Sequence, residues 1–182
     1  VEPALESLKN SGAEAVIMAG TYDPLARFIK LSVDNSITPY FHTVSFIGSG
    51  AFAEAIKKTE VSTQHYEKII VTKVVPSPSS AGIEVVDQYR TLHASYFPND
   101  LPNYVALEGF VNAQVLVEAL KRAGPDLTRT QLINTLEKME NEDVGLGKNL
   151  TFGKFDHSGL SGVYHSRLDD GSGNFEVFGR NE

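Results

Sequence analysis

Apolar positions change their spacing along this chain, and the changes divide it into three stretches. Over 1–75, short apolar runs alternate with amphipathic segments. The runs at 14–19, 38–42 and 68–75, the last rich in Ile and Val, read as strands. The segments at 3–10, 23–35 and 50–57 read as helices. Ser11-Gly12 stops the first of them. Asp23-Pro24 opens the second, because Asp is a good cap and Pro suits the first helical position. Ser49 suits the cap of the third. Strand and helix alternating over short links imply a parallel sheet covered by helices.

Pro76-Ser77-Pro78-Ser79-Ser80 breaks this rhythm and reads as a linker. Helical patterns follow at 81–96, 104–122 and 129–140, with no convincing strand between them. Phe97-Pro98-Asn99-Asp100-Leu101-Pro102 separates the first two. After Gly145-Leu146-Gly147 the pattern turns to strands at 150–155, 162–168 and 174–178. Asp169-Asp170-Gly171-Ser172-Gly173 predicts a hairpin turn before the last of these. No internal repeat is present.

The 104–139 stretch carries the strongest local signals. Its first helix stops at Ala123-Gly124-Pro125, since Gly relieves a left-handed turn and Pro cannot continue a helix. Thr128-Arg129-Thr130-Gln131 has the spacing of a capping box. On the 104–122 helix, Gln114, Glu118, Lys121 and Arg122 share a polar arc. Phe110, Ala113, Leu116, Val117, Ala119 and Leu120 fill most of the rest, so the helix is expected to be largely buried. Glu108 and Asn112 lie outside the polar arc, four residues apart on one face.

Composition narrows the chemistry. A chain of 182 residues can bury one sizeable core or two small ones. Asp and Glu number 23 against 16 Lys and Arg, so the chain carries a net −7. That balance argues against a nucleic-acid partner and against attraction to an anionic membrane. Cysteine is absent, which excludes disulfides and thiolate metal sites. No apolar run approaches the roughly 18 residues a bilayer span needs. The chain opens with Val inside a helical pattern, which reads as a processed product or a fragment.

Catalytic and metal signatures are not found. Histidines 42, 65, 93, 157 and 165 show no ligand spacing for a metal. Gly48-Ser49-Gly50 lacks the Lys-Ser/Thr of a phosphate loop. Ser158 has no nucleophile-elbow context. A binding protein without cofactor, metal or catalysis is therefore expected; the alternative is a small α/β enzyme. In open α/β sheets ligands bind beyond the carboxyl ends of the strands. That rule selects Gly20-Thr21-Tyr22-Asp23 and Thr43-Val44-Ser45-Phe46. Tyr22 offers a ring and a hydroxyl, Thr21 and Ser45 offer hydroxyls, and Phe46 offers an apolar wall. A helix opening at Pro24 would aim its free amides at the same rim, which suits a carboxylate. Thr21 and Asp23 also suit plain turn and cap roles, and Tyr22 plain packing. Glu108 either answers the helix dipole or meets a cationic part of a ligand, with Tyr104 beside it.

The segment ALEGFVNAQVLVEALKRAG, followed by LTR and a capped helix, resembles the C-terminal half of type I periplasmic binding proteins. Within them it is similar to the branched-chain amino acid (Leu/Ile/Val) receptors of ABC transport. Ala13-Glu14-Ala15-Val16, Thr38-Pro39-Tyr40-Phe41, Val44-Ser45-Phe46-Ile47-Gly48 and Ile70-Val71-Thr72-Lys73-Val74-Val75-Pro76 extend the match over nearly the whole chain. The resemblance implies an α/β fold, periplasmic-binding-protein-like type I, with a Rossmann-like parallel sheet and flanking helices, as a portion of two lobes. On that map 1–75 belongs to the second lobe, 76–147 is a helical segment of the first, and 148–182 returns to the second. It implies extracytoplasmic capture of a small organic ligand, an amino acid or another carboxylate-bearing compound, in an interlobe cleft. The partner would be the membrane permease of an ABC transporter, or the same module would serve as the sensory ectodomain of a signalling receptor. AGTYDP matches the place where relatives present a Tyr to the ligand, and Ser45-Phe46 matches the second such loop. Relatives carry a Glu there for the ligand's amino group. This chain reads His42-Thr43-Val44-Ser45-Phe46, with no acidic residue. The missing first-lobe sheet is expected from a longer parent protein or from another chain, with self-association through the exposed helical faces.

Overall fold

A computed structural model describes residues 1–180 of the chain. They form two compact units, one of Val1–Val74 with the segment from Val163, the other of Val75–Gly162. Residues 148–162 therefore cluster with the helices, whereas the sequence reading places them with the sheet.

The first unit runs α1 (Glu2–Lys9), β1 (Ala15–Ile17), α2 (Tyr22–Asp34), β2 (Tyr40–Thr43), α3 (Ser49–Lys58) and β3 (Ile69–Lys73). After the second unit it resumes with β6 (Tyr164–Leu168) and β7 (Phe175–Arg180). The sheet order is β1-β2-β3-β6-β7. The first three strands are parallel, and β6 and β7 add antiparallel at the β3 edge. The period of two puts Phe41, Thr43, Ile69, Val71, Ser166 and Leu168 on one buried face. Leu25, Phe28 and Ile29 of α2 and Phe52 and Ile56 of α3 close over that face. The opposite face carries Ile17, Tyr40, His42, Ile70, Thr72, His165 and Arg167. There Ile17 is 85% exposed, because this unit's three helices all join the core on the other side. Parallel strands usually have both faces covered.

The second unit holds α4 (Glu84–Tyr96), α5 (Tyr104–Ala123) and α6 (Arg129–Leu136). Two short strands, β4 (Glu142–Asp143) and β5 (Asn149–Leu150), pair antiparallel. Its core is Val75, Val85, Val86, Tyr89, Leu107, Val111 and Leu146. The β4–β5 connection presses on the start of α4: Val85 N–H donates to the Gly145 carbonyl at 3.0 Å. Gly145 has φ 74°, and a Cβ there would meet the Val85 nitrogen at 2.9 Å, so only Gly fits. The Thr128–Gln131 capping box forms, and Gly124 takes φ 80° at the end of α5.

Helix α5 departs from its expected burial. Only Leu107, Val111 and Ala119 are buried, while Leu116 and Val117 are 46% and 48% exposed. The polar arc instead makes bonds within the unit. Gln114 donates to Gln88 of α4 at 2.8 Å, and Arg122 forks onto Glu142 at 2.5 and 2.7 Å while also reaching Glu118 at 2.8 Å. Helix α6 buries no residue at all. The strand expected at 150–155 survives only as Asn149–Leu150. Beyond it Thr151 and Phe152 bond to Gly159 and Met139, and Gly153 bridges Asp156 in a tight turn. Past Leu150 the apolar alternation had no neighbouring strand to pair with.

Candidate functional site

The carboxyl ends of β1 and β2 are tied together before either reaches its loop. Met18 N–H donates to the His42 carbonyl at 2.7 Å, and the buried Thr43 hydroxyl donates to the Met18 carbonyl at 3.0 Å. Thr72 on β3 adds a hydroxyl bond to the Thr43 carbonyl at 3.4 Å. Buried hydroxyls that satisfy strand-end carbonyls leave the loops beyond them on a fixed base.

From that base the first loop turns directly into α2. The helix begins at Tyr22, not at Pro24, with Thr21 in extended conformation as its cap residue. No side chain caps it, so the expected Asp23 cap is not formed. The physical reason is the position of Pro24. It tolerates any place in the first turn, where an N–H would be orphaned anyway. Its ring also removes one donor, leaving Tyr22 and Asp23 as the outward amides of that turn. Thr21 is exposed and Tyr22 is 41% exposed, with its ring and hydroxyl at the rim.

The second loop is a single 3-10 turn, Ser45–Ile47, a feature the sequence reading did not contain. Ile47 is buried and anchors it. Gly48 follows with φ 71° and leads into α3, so Ser49 is the first helical residue and not the cap. The left-handed turn is the use of the Gly48-Ser49-Gly50 run. With Ile47 held inside, Phe46 is turned outward and is 66% exposed. Ser45 is half-buried. Thr21, Tyr22, Ser45 and Phe46 thus sit at the carboxyl end of two adjacent parallel strands. Two aromatic rings, three hydroxyls and two backbone donors there suit a small ligand with an apolar body and an acceptor group.

Tyr104 and Glu108 belong to the other unit. Tyr104 is the first residue of α5 and packs partly against Leu107 and its neighbours. Glu108 is half-buried one turn on. The start of α5 is capped by Asn103, whose side chain accepts from the Ala106 N–H at 2.9 Å. Sequence reasoning passed over one further residue at the rim end of the sheet. Lys73, the last residue of β3, is buried, with its ammonium 5.6 Å from the centre of the Phe175 ring. The signal was a lone cation inside Ile69-Ile70-Val71-Thr72-Lys73-Val74-Val75. Among the described residues no cluster of three or more His, Cys, Asp or Glu side chains could hold a metal. Among them, too, no helix is long and apolar enough to cross a membrane.

The family model described as periplasmic binding protein matches residues 1–173. A possible leucine/isoleucine/valine-binding protein from Rhodopirellula baltica SH 1 is similar in structure, with TM-score 0.85 and 30% identity over 98% of this chain and 47% of that one. A fatty acid ABC transporter substrate-binding protein from Thermomonospora curvata gives TM-score 0.78 at 18% identity, over 98% and 46%. A branched chain amino acid ABC transporter from Thermus thermophilus with bound valine gives 0.75 at 15%, over 98% and 48%. At such identities the last two speak for the fold alone. The chain spans about half the length of these structures. No curated protein matches it. With the family pattern running through both units, and with an α/β fold of type I architecture, this chain belongs to the periplasmic binding proteins.

Proposed function

We propose that the chain is part of an extracytoplasmic solute-binding protein that captures a small carboxylate-bearing compound for ABC-type uptake, without catalysis. The observation that carries this reading is the rim itself. In a chain matching the family over 1–173, Tyr22 and Phe46 are exposed side by side in topology at the carboxyl ends of β1 and β2. The amides of Tyr22 and Asp23 supply donors for the carboxylate. Phe46 and the Tyr22 ring supply the apolar wall. The loop from Thr43 to Phe46 contains no acidic group, which favours larger apolar or aromatic acids over simple amino acids. Tyr104 and Glu108, at the start of α5, are further candidate ligand residues, and Glu108 keeps a cationic group on the ligand admissible.

On the same reading, Val1–Val74 with the segment from Val163 is the second lobe, and Val75–Gly162 is part of the first. The exposed Leu116 and Val117 of α5, and an α6 that buries nothing, support a first-lobe sheet as their partner. A second copy of the chain is the substitute partner when that sheet is missing. The permease of the transporter is the partner of the whole protein.

Thermal-shift measurement on the full-length protein against amino acids and organic acids tests the reading. A ligand that prefers the folded state raises the melting temperature, because it stabilises that state by RT ln(1 + L/Kd), with L the free ligand concentration. Larger acids should stabilise most. Tight binding of leucine or valine with no preference for larger acids would refute the reading of the second loop. Turnover of ester, phosphate or glycoside substrates would refute the assignment as a binder.

A further inference from the structure

His42 and His165 meet on the face of the sheet opposite the helices. His42 lies on β2 beside Ile70, and His165 lies on β6 beside Thr72, so β3 runs between them. Their rings nevertheless lean together over β3, with centroids 5.9 Å apart and planes at 64°. Both are half-buried. The Phe178 ring backs His165 at 6.4 Å and also carries the Arg167 guanidinium at 5.3 Å. Among the described residues the charged groups on the surrounding elements are few. Arg167 on β6 and Glu176 on β7 are register partners, Lys68 lies over the Tyr40 ring, and Glu67 sits with Arg167 around a small cleft. β1 and β3 present no charge on this face.

We propose that the His42–His165 pair is an acid-sensitive device that sets the position of the Thr43–Phe46 rim. When both imidazoles are neutral they pack as an edge-on aromatic pair across β3. When both are protonated, two positive charges face each other over a strand that presents no charge on this face, with Arg167 nearby. Repulsion then acts on two sensitive points. His42 directly precedes Thr43, whose hydroxyl and carbonyl tie β2 to β1 and β3 at the start of the rim. His165 comes two residues after Val163, where the chain re-enters the first unit. Burial first, and the neighbouring His165 second, hold His42 below the ordinary histidine range, in keeping with a pair that resists double charging. The device does not depend on the ligand reading above, since it is defined by two side chains and the backbone they sit on.

Imidazole resonances followed by NMR from pH 8 to 4.5 test it on the full chain. In the native sequence the His42 curve should be biphasic, as for two coupled sites. The amides of Val44, Ser45 and Phe46 should shift along the same curve. His165→Gln should raise the His42 midpoint by about 0.5–1 pH unit, the size expected for removing one charge at this distance from a partly solvated site. Independent single-proton curves in the native chain would overturn the proposal, and that measurement needs no variant to fold. An unmoved His42 midpoint in His165→Gln, or rim amides indifferent to His42, would overturn it as well. Loss of ligand binding with the coupled curves intact would instead fault the binding assignment.

Discussion

The two units solve the same problem unequally. In the first, α2 and α3 bury Ile29, Phe52 and Ile56 completely against Phe41, Ile69 and Val71 of the sheet. In the second, α5 is longer and more apolar, yet it leaves Leu116 and Val117 half open, and no residue of α6 is buried. The difference lies in the opposing surface. A helix buries its stripe only where another element presents a matching apolar face. The first unit contains its own sheet. The second has only the two-residue strands β4 and β5, and its core is a seam between α4, α5 and the β4–β5 turn. Amphipathic sequence sets what a helix is able to bury, and the neighbouring element sets whether it does so.

Substitutions can break this contrast, beginning with the largest effect. Phe52 is fully buried and stacks on Phe175 at 5.7 Å with planes 7° apart. Phe52→Ala should destabilise the first unit by about 3–5 kcal/mol, read as a shifted urea midpoint. A loss under 1 kcal/mol would show that the α3–sheet packing is not the source of that unit's order. At the rim, Tyr22→Ala in the full-length protein should weaken ligand binding by about 1–3 kcal/mol in calorimetry, as for an aromatic anchor in a pocket. Unchanged affinity would remove Tyr22 from the site. In the second unit, Asn103→Ala removes the cap on α5 and should cost about 1 kcal/mol. Hydrogen exchange at the Ala106 amide reports it directly.

Smaller still is the expected effect of Leu116→Glu. On the isolated chain its stability cost should stay within about 0.5 kcal/mol, because the side chain has little packing to lose. The same change should lower any self-association seen by sedimentation, and in the parent protein it should cost far more. Equal large losses in both settings would mean that α5 is already covered. The gentlest probe is pH. His42 is held below its ordinary value, so as pH falls the unfolded chain takes up a proton before the folded one. Stability of the first unit should therefore be full above the ordinary histidine value and decline as pH drops through it. Urea midpoints at pH 7.5 and 5.5 check the direction, and a higher midpoint at pH 5.5 would contradict it.

Local chemistry was legible in the residues wherever a signal spanned a few neighbours. The capping box at Thr128 needs only four residues, and the stop at Gly124 needs only a left-handed φ. The Ile- and Val-rich run became β3, and the Asp169–Gly173 turn joined β6 to β7. The parallel sheet and the loops at its carboxyl end followed from strand–helix alternation. Less legible were features set by partners far along the chain. The alternation at 150–155 could not reveal that pairing with β4 would stop at Leu150. Pro24 read as the first helical residue, although α2 already begins at Tyr22. Lys73 read as part of a strand, and its burial beside Phe175 marks it as unusual.

The sequence by itself determined the elements, their polarity and the family they belong to, because these rest on propensity, spacing and short-range hydrogen bonds. Tertiary structure alone decided which stripe of α5 was covered, which way Phe46 turned, and that His42 and His165 came together across β3. Those outcomes depend on surfaces contributed by residues as much as 123 positions apart, as between His42 and His165, and no local pattern encodes how such surfaces meet.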